Sequence, residues 1–505
     1  VTVAALKGKQ SRARQQAVSK SEKQNMATPQ PSGLSLPLGV YADSGEFLPP
    51  LDSSCLDVLR QEGIGGTLTK SDYKTKAGSD EPDFGVEGGE TVGEDLSQSG
   101  WSVLYGLNVS DAIKKELQPL LDHRKNDVKD EKLFKIFDGP EGYQKEKSVK
   151  DWLRKHEASL QVVDPEKVPF YVLIVASPDD IPFEFQCELD LYYAVGRLWF
   201  LTPEEFAFYV KSVIDCGNPL SQVATSRQLS LFCTANQGDH ATQDLYASLF
   251  DPLIQKQFGT RQHFTPVDVT GPKATKDALH NIFTGQAPGG TPALMFTGSH
   301  GLLQLPGAKY QAETQGAIVC YDWPGKGPVG QTQCYAAWDL KNPKVHGMVL
   351  FMLACYGGGW PQFDSYQAPG AAPVQISTAP MMARLPQRLL GCENGALAVI
   401  GHVDKAWSYS YHSSDGIAQP QSFRDVFLKL MFGLRLGNAT DQFNLRCAGI
   451  AEELLDGLES LRKGDGEYSP EQVLNLRVAH EDSRNYVVFG DPAVRLCVKP
   501  ASTAT

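Results

Sequence analysis

An α/β fold, in which a sheet of mainly parallel strands is covered on both faces by helices, is predicted by three observations. VPFYVLIVAS (168–177) is apolar and β-branched without alternation, as a strand buried on both faces requires. Runs of the same kind recur at QLSLFCTAN, PALMFTGSHG, HGMVLFMLACYGGG and ALAVIGHVDKAW. Between them lie segments of helical period, and strands alternating with helices are the signature of crossover connections in a parallel sheet.

Taken in order, residues 1–35 read as a basic, disordered tail without the apolar stretch of a secretory signal. Residues 36–100 read as a loop-rich, acidic lead-in that packs on a domain rather than forming one, with KSDYKTKAGSDEPDFGVEGGETVGED least able to build a core. WSVLYGLN predicts a strand, and SDAIKKELQPLLDHRKN a helix capped by Ser110 and interrupted at Pro119. SVKDWLRKHEASL is helical, the 168–177 strand and LYYAVGRLWFL follow, and TPEEFAFYVKSVIDC is a helix with Thr202 at its cap and Pro203 in its first turn. A second unit begins between Asn218 and Ser226. It runs through the strand QLSLFCTAN, the helix TQDLYASLFDPLIQKQF, the segment HFTPVDV, the helix TKDALHNIFTG and the three later strand runs, and YVVFGDPAVRLCV supplies its last strand. SFRDVFLKLMFGLRLG and QFNLRCAGIAEELLDGLESLRK are its closing helices. The Gly/Pro-rich stretch at 303–344 reads as an insertion too irregular for core. The expected units are therefore 101–222 and 223–499.

Bulk properties exclude several classes. A chain of 505 residues exceeds one ordinary core, and 41% hydrophobic with 21% charged residues is the balance of a globular protein. A net charge of -12 leaves no basic surplus for phosphates, so no nucleic-acid partner is expected. No apolar run approaches the roughly 18–20 residues that span a bilayer, so no membrane role is expected either. Ten cysteines lie scattered without a CxxC pair, which gives no support to a structural zinc site and suits reduced thiols in the cytoplasm. No metal or cofactor is expected.

Two strand ends carry pointed chemistry. PALMFT runs into GSHG, which sets His300 between Gly298 and Gly301, and VLFMLA runs into CYGGG, which sets Cys355 just past a strand. In open α/β sheets reactive groups gather beyond the carboxyl ends of the strands. Glycines there let a substrate backbone approach and free N–H groups for an oxyanion. A thiol beside an imidazole can be drawn to thiolate, and the imidazole can then protonate a leaving amine. Taken singly, a histidine after a strand is a common polar loop residue and a cysteine in an apolar strand is commonly core. Together, with His about fifty residues before Cys, they follow a caspase-type order.

TGSHG, LACYGGG, ALAVIGHVDKAW and YVVFGDPAVRL together resemble the catalytic subdomain of the gingipain-like peptidases and the related CHAT-domain proteases. YVLIVASPDDIP, LDLYYAVGRL and TPEEFAFYVKSVI resemble the non-catalytic first subdomain of the former, so the likeness covers roughly residues 165–498. It implies a caspase-like fold with a non-catalytic first subdomain and a catalytic second. It implies that Cys355 attacks the scissile carbonyl, His300 is the general acid–base, and the N–H groups of Gly301 and Cys355 hold the oxyanion. It further implies cleavage of protein or peptide substrates after Arg, and less strongly Lys, with Asp239 as the acid of the S1 pocket, Asp244 if the register slips, and Trp407 as its wall. Asp239 could equally be an ordinary N-cap, and Trp407 ordinary core.

Two other readings stay open: a catalytically silent caspase-like scaffold that binds a protein partner, and a thiol amidase other than a peptidase. The likeness to CHAT proteases suggests an intracellular regulatory or defence role, with an activating or inhibiting protein partner. Restraint of such an enzyme suggests self-processing at Arg12, Arg14 or Lys326.

Overall fold

In a computed structural model, residues 36–50, 93–159, 162–218, 223, 225–255, 263–366 and 372–498 are described. The chain divides into two units, Val1–Ser35 and Leu36–Thr505, and every described residue belongs to the second. The expectations for residues 1–35 and for the KSDYKTKAG stretch therefore lie outside the described residues.

The strands, in chain order, are β1 (Gly39–Tyr41), β2 (Trp101–Tyr105), β3 (Phe134–Phe137), β4 (Tyr171–Val175), β5 (Ala194–Leu198), β6 (Ser226–Cys233), β7 (Thr265–Thr270) and β8 (Pro292–Gly298). They continue with β9 (Gly301–Leu303), β10 (Ile318–Val319), β11 (Cys334–Tyr335), β12 (Val349–Leu353), β13 (Gly359–Trp360), β14 (Met381–Met382), β15 (Ala398–His402) and β16 (Tyr486–Gly490). Ten of them form one sheet in the order β3-β2-β4-β5-β16-β15-β12-β8-β6-β7. Every neighbouring pair is parallel except β15–β16. The continuous apolar runs are buried throughout β2, β4, β8, β12 and β15, as helices on both faces demand.

The last strand joins the two halves of the chain. β16 runs parallel to β5 from the first half and antiparallel to β15 from the second. The carboxylate of Asp491, just past it, is fully buried and accepts from Trp101 Nε1 (3.0 Å) and Arg124 Nε (2.7 Å) of the first half. A buried charge pair of this kind holds only because each partner's remaining polar atoms are also matched; Arg124 Nη1 reaches Asp127 at 2.7 Å.

Two sequence expectations change. Pro119 does not interrupt its helix, which runs unbroken from Asp111 to Val128. Pro119 and Lys115, whose carbonyl loses its helical donor, both face solvent, so water can serve that carbonyl. The stretch at 303–344 is not irregular surface. β10 and β11 pair with β9 and β1 in a second sheet of order β1-β9-β10-β11. Val40, Leu302, Val319, Trp323 and Cys334 close a separate small core beneath it. Among the described residues no helix is long and apolar enough to cross a membrane.

Candidate active site

Three adjacent strands of the main sheet deliver the candidate residues. β12 pairs with β8 so that Leu353 lies opposite Gly298, and Ser299 N donates to the Leu353 carbonyl at 3.2 Å. His300 and Cys355, one and two residues further on, therefore leave the sheet side by side. β6, on the far side of β8, ends at Cys233, and the loop beyond it carries Asp239 to the cap of the helix His240–Leu245.

Gly301 packs against the Cys355 backbone so closely that a Cβ there would collide with the Cys355 carbonyl oxygen. Tyr356 follows in the left-handed region at φ 59°, a costly conformation for a residue with a Cβ, held by its N–H donating to the Asp404 carbonyl at 2.8 Å. The chain thus turns sharply after β12, and the Cys355 N–H points along the same direction as that of Gly301. Both N–H groups donate to one carbonyl oxygen, that of Leu38, at 3.0 Å each.

His300 is buried, and its Nε2 stands 2.9 Å from Asp239 Oδ2. An ionised carboxylate can only accept, so Nε2 carries a proton there and Nδ1 is the ring nitrogen free of that bond. Nδ1 has no hydrogen-bond partner among the described residues. Asp239 also accepts from Thr242 Oγ1 (2.6 Å) and Thr242 N (3.3 Å). Burial pushes its carboxyl up, but His300 and Thr242 outweigh burial and hold it below the ordinary carboxylate range. The Cys355 thiol is completely buried, and burial pushes it well up despite the Ala406 N–H that reaches Sγ at 3.2 Å. In this state it is a protonated thiol. Phe47 lies over the His300 ring, centroids 5.1 Å apart, and Trp323 meets the ring edge-on at 6.3 Å.

A fourth strand, β15, supplies a wall. Past it, the chain from Ala406 to Trp407 runs extended beside Leu36–Leu38 before Ser408 opens a short 3-10 turn, with Pro37 opposite Trp407 in antiparallel register. Asp482 pins this wall from behind, accepting from Trp407 N (3.0 Å) and Ser410 Oγ (2.7 Å) and facing His402 Nε2 at 3.0 Å.

Of the residues named from sequence, His300, Cys355, Gly301 and Asp239 come together. Asp239 faces His300 and is 1% exposed, rather than standing free at a pocket base. Asp244 stands apart from that histidine, taking the Tyr411 hydroxyl at 3.1 Å and Ser248 Oγ at 3.0 Å. Trp407 is 1% exposed; its backbone belongs to the wall and its indole packs on Tyr366 at 5.2 Å. Sequence reasoning missed Leu38, Phe47 and Asp482. LPLGVY was the available signal for the first, an apolar island inside a polar lead-in. Asp482 sits in a helix far along the chain and carried none.

A thiol, an imidazole oriented by a carboxylate, and two converging N–H groups at the carboxyl edge of a mainly parallel sheet define a thiol-dependent acyl-transfer enzyme. The model of peptidase family C25 matches residues 107–497, and the chain belongs to that family of cysteine endopeptidases, whose substrates are proteins. Among solved structures, the complex of Porphyromonas gingivalis RgpB pro- and mature domains is similar over 79% of this chain and 80% of that one, at 14% identity and a TM-score of 0.46. The Arg-specific cysteine proteinase gingipain R is similar over 82% and 80%, at 14% identity and a TM-score of 0.43. No curated protein matches the chain.

Proposed function

We propose that the enzyme hydrolyses peptide bonds through Cys355 as nucleophile and His300 as general acid–base, with Asp239 positioning the histidine and the Gly301 and Cys355 N–H groups receiving the oxyanion. The observation that carries this is the convergence of both N–H groups on a single carbonyl oxygen beside the thiol. Transfer of the Cys355 proton to His300 Nδ1 generates the thiolate, whose sulfur attacks the carbonyl carbon. The imidazolium is stabilised by Asp239 through Nε2–H and returns its proton to the leaving amine. Water, deprotonated by the same imidazole, then hydrolyses the thioester.

The preference for Arg or Lys before the cleaved bond rested on a free carboxylate at Asp239. That carboxylate is engaged by His300 and Thr242, which supports a positioning role instead. Asp244, the alternative acid, is likewise engaged, by the Tyr411 hydroxyl and Ser248 Oγ, so neither sequence-derived carboxylate supports a basic preference. The strands β2–β5 (within 101–222) are read as a non-catalytic first subdomain and β6–β16 (within 223–499) as the catalytic one, supported by where the site residues fall. A cytoplasmic regulatory or defence role belongs to the same proposal, supported by the scattered cysteines and by a cleft that the enzyme's own chain fills.

The test is hydrolysis of a peptidyl fluorogenic panel varied at P1, with covalent labelling of Cys355 by an acyloxymethyl ketone, in wild type and Cys355→Ala. Hydrolysis and labelling should be lost together in the variant. Equal rates in the two proteins would remove Cys355 from the mechanism.

A further inference from the structure

The segment Leu36–Gly39 lies across the site in the register of a bound substrate. The Leu38 carbonyl takes both oxyanion donors at 3.0 Å, while Leu38 N donates to Ala406 O at 2.8 Å and Ser408 N donates to Leu36 O at 3.3 Å. These bonds pair Leu36–Leu38 with the Ala406–Ser408 wall as an added antiparallel strand, the mode in which extended peptides are commonly recognised. The next residue meets the thiol itself. A Cβ built on Gly39 would stand 3.0 Å from Cys355 Sγ and 3.1 Å from Cys355 Cβ. The peptide bond presented to the nucleophile is therefore Leu38–Gly39.

The two sides of that bond are held differently. On the amino side Leu36 is 42% exposed, and its described bonds are backbone bonds to the wall. On the carboxyl side Gly39–Tyr41 is β1, paired in parallel with β9 and continuous with the small core under Val40. Leu48 N returns to the Gly39 carbonyl at 3.0 Å, and Phe47 covers His300. The side chain before the presented bond, Leu38, is apolar and 0% exposed. Burial of a leucine here stabilises the bound segment by removing its apolar surface from water, whereas a guanidinium in the same place would need a charged partner.

Resting on the peptidase reading above, we infer that Leu38–Gly39 is this enzyme's own processing site, that the segment keeps the enzyme latent until the bond is cut, and that the S1 subsite selects an uncharged, leucine-sized side chain. Attack of Cys355 Sγ on the Leu38 carbonyl carbon forms the thioester and breaks the C–N bond to Gly39, whose nitrogen takes the proton held by His300. Water then adds to the thioester, releasing residues 1–38 with a carboxylate end and restoring the thiol. Residues 36–38 leave with that fragment and clear the Ala406–Ser408 wall for another substrate, while β1 stays as a strand of the second sheet.

The experiment incubates the full chain, as wild type and Cys355→Ala, and reads new termini by intact mass and N-terminal sequencing beside hydrolysis of acetyl-Leu-Pro-Leu and acetyl-Leu-Pro-Arg fluorogenic peptides. Expected are a fragment beginning at Gly39 in the wild type alone, and hydrolysis of the leucyl peptide at least tenfold faster than the arginyl one. Leu38→Asp should slow self-cleavage at least tenfold while speeding turnover of added leucyl peptide. An intact chain in fully active enzyme, new termini only after Arg12, Arg14 or Lys326, or an arginyl preference overturns the inference and leaves the peptidase reading standing. Absence of hydrolysis of every peptide, together with no ketone labelling of Cys355, sinks the reading on which the inference rests.

Discussion

The two halves of the ten-stranded sheet present the same kind of strand end and finish it in opposite ways. In the first half the loop after β4 folds back over the strand ends. Arg197, on β5 and 0% exposed, donates to Gln186 Oε1 at 2.7 Å, to the Ala176 carbonyl at 3.2 Å and to the Pro182 carbonyl at 3.2 Å. Asp180 from that loop accepts from Asn108 N at 3.0 Å beyond β2. These strand ends are thus closed largely from within the half, although Gln186 Nε2 also donates to the Val488 carbonyl of β16 at 3.4 Å and the Trp199 carbonyl past β5 accepts from Gln387 Nε2 at 3.0 Å. In the second half the turns after β8 and β12 carry glycines, and two of their N–H groups, those of Gly301 and Cys355, are matched by a segment from elsewhere in the chain. A strand end that satisfies its own polar groups is architecture; one that leaves two N–H groups for a separate carbonyl can receive a substrate.

The largest expected effects break the second half. Cys355→Ala should reduce peptide hydrolysis by about 10³-fold or more, because no other described thiol shares the site's donors. Asp239→Asn separates positioning from specificity. As a positioning residue it should lower kcat by about 10²-fold for every P1 residue with KM little changed, since loss of the carboxylate releases the Nε2–H tautomer. Loss confined to arginyl substrates, with leucyl turnover intact, would return Asp239 to the specificity pocket.

Changes in the first half should register in stability and leave chemistry alone. Arg197→Met leaves the Gln186 side chain and two carbonyls without their donor inside a buried layer, at a cost of about 1–3 kcal/mol in urea unfolding. Hydrolysis per folded, processed molecule should match the wild type. A large fall in kcat would show that the hydrogen bonds crossing between the halves, Gln186 Nε2 to the Val488 carbonyl among them, carry the change to the site.

How much of this contrast was legible beforehand follows from which interactions are local. The strand runs and the Thr202 cap, with Glu205 closing its capping box, depend on neighbours in sequence and are visible there. The placement of His300 beside Cys355 needed only the premise that their strands are adjacent. By contrast, the pairing of Asp239 with His300 depends on β6 lying next to β8, and a carboxylate at a helix cap looks the same whether or not an imidazole is opposite. The substrate-like seat of Leu38 depends on three carboxyl-edge segments meeting a lead-in more than 250 residues earlier, on backbone atoms that carry no residue signature. The core under Val319 and Trp323 was obscured for a related reason: short strands interrupted by glycine and proline show no period until a partner is known.

A last expected effect, confined to stability and its pH dependence, compares two buried charges. Arg197 in the first half is matched by neutral acceptors, whereas Asp404, past β15 beside the active-site turn, is 3% exposed and holds Lys405 N at 2.7 Å. Burial pushes its carboxyl up to about 6, against Ser365, the Lys405 N–H and the Lys405 charge, which pull it down. The ordinary value is about 3.9. Between those two values the folded protein keeps a proton that the unfolded chain has released, so stability falls as pH rises through the window and the penalty is complete above it. Below about pH 4 both states are protonated and the penalty vanishes. Asp404→Asn keeps an acceptor without the charge, so wild type and variant should be most alike near pH 4. They should separate by about 3 kcal/mol by pH 7, with the variant the more stable. Chemical unfolding across that range reads the difference directly. Parallel curves would mean that Lys405 and Ser365 stabilise the ionised carboxylate fully, and that the wall beside Cys355 is as self-sufficient as the sealed end of the first half.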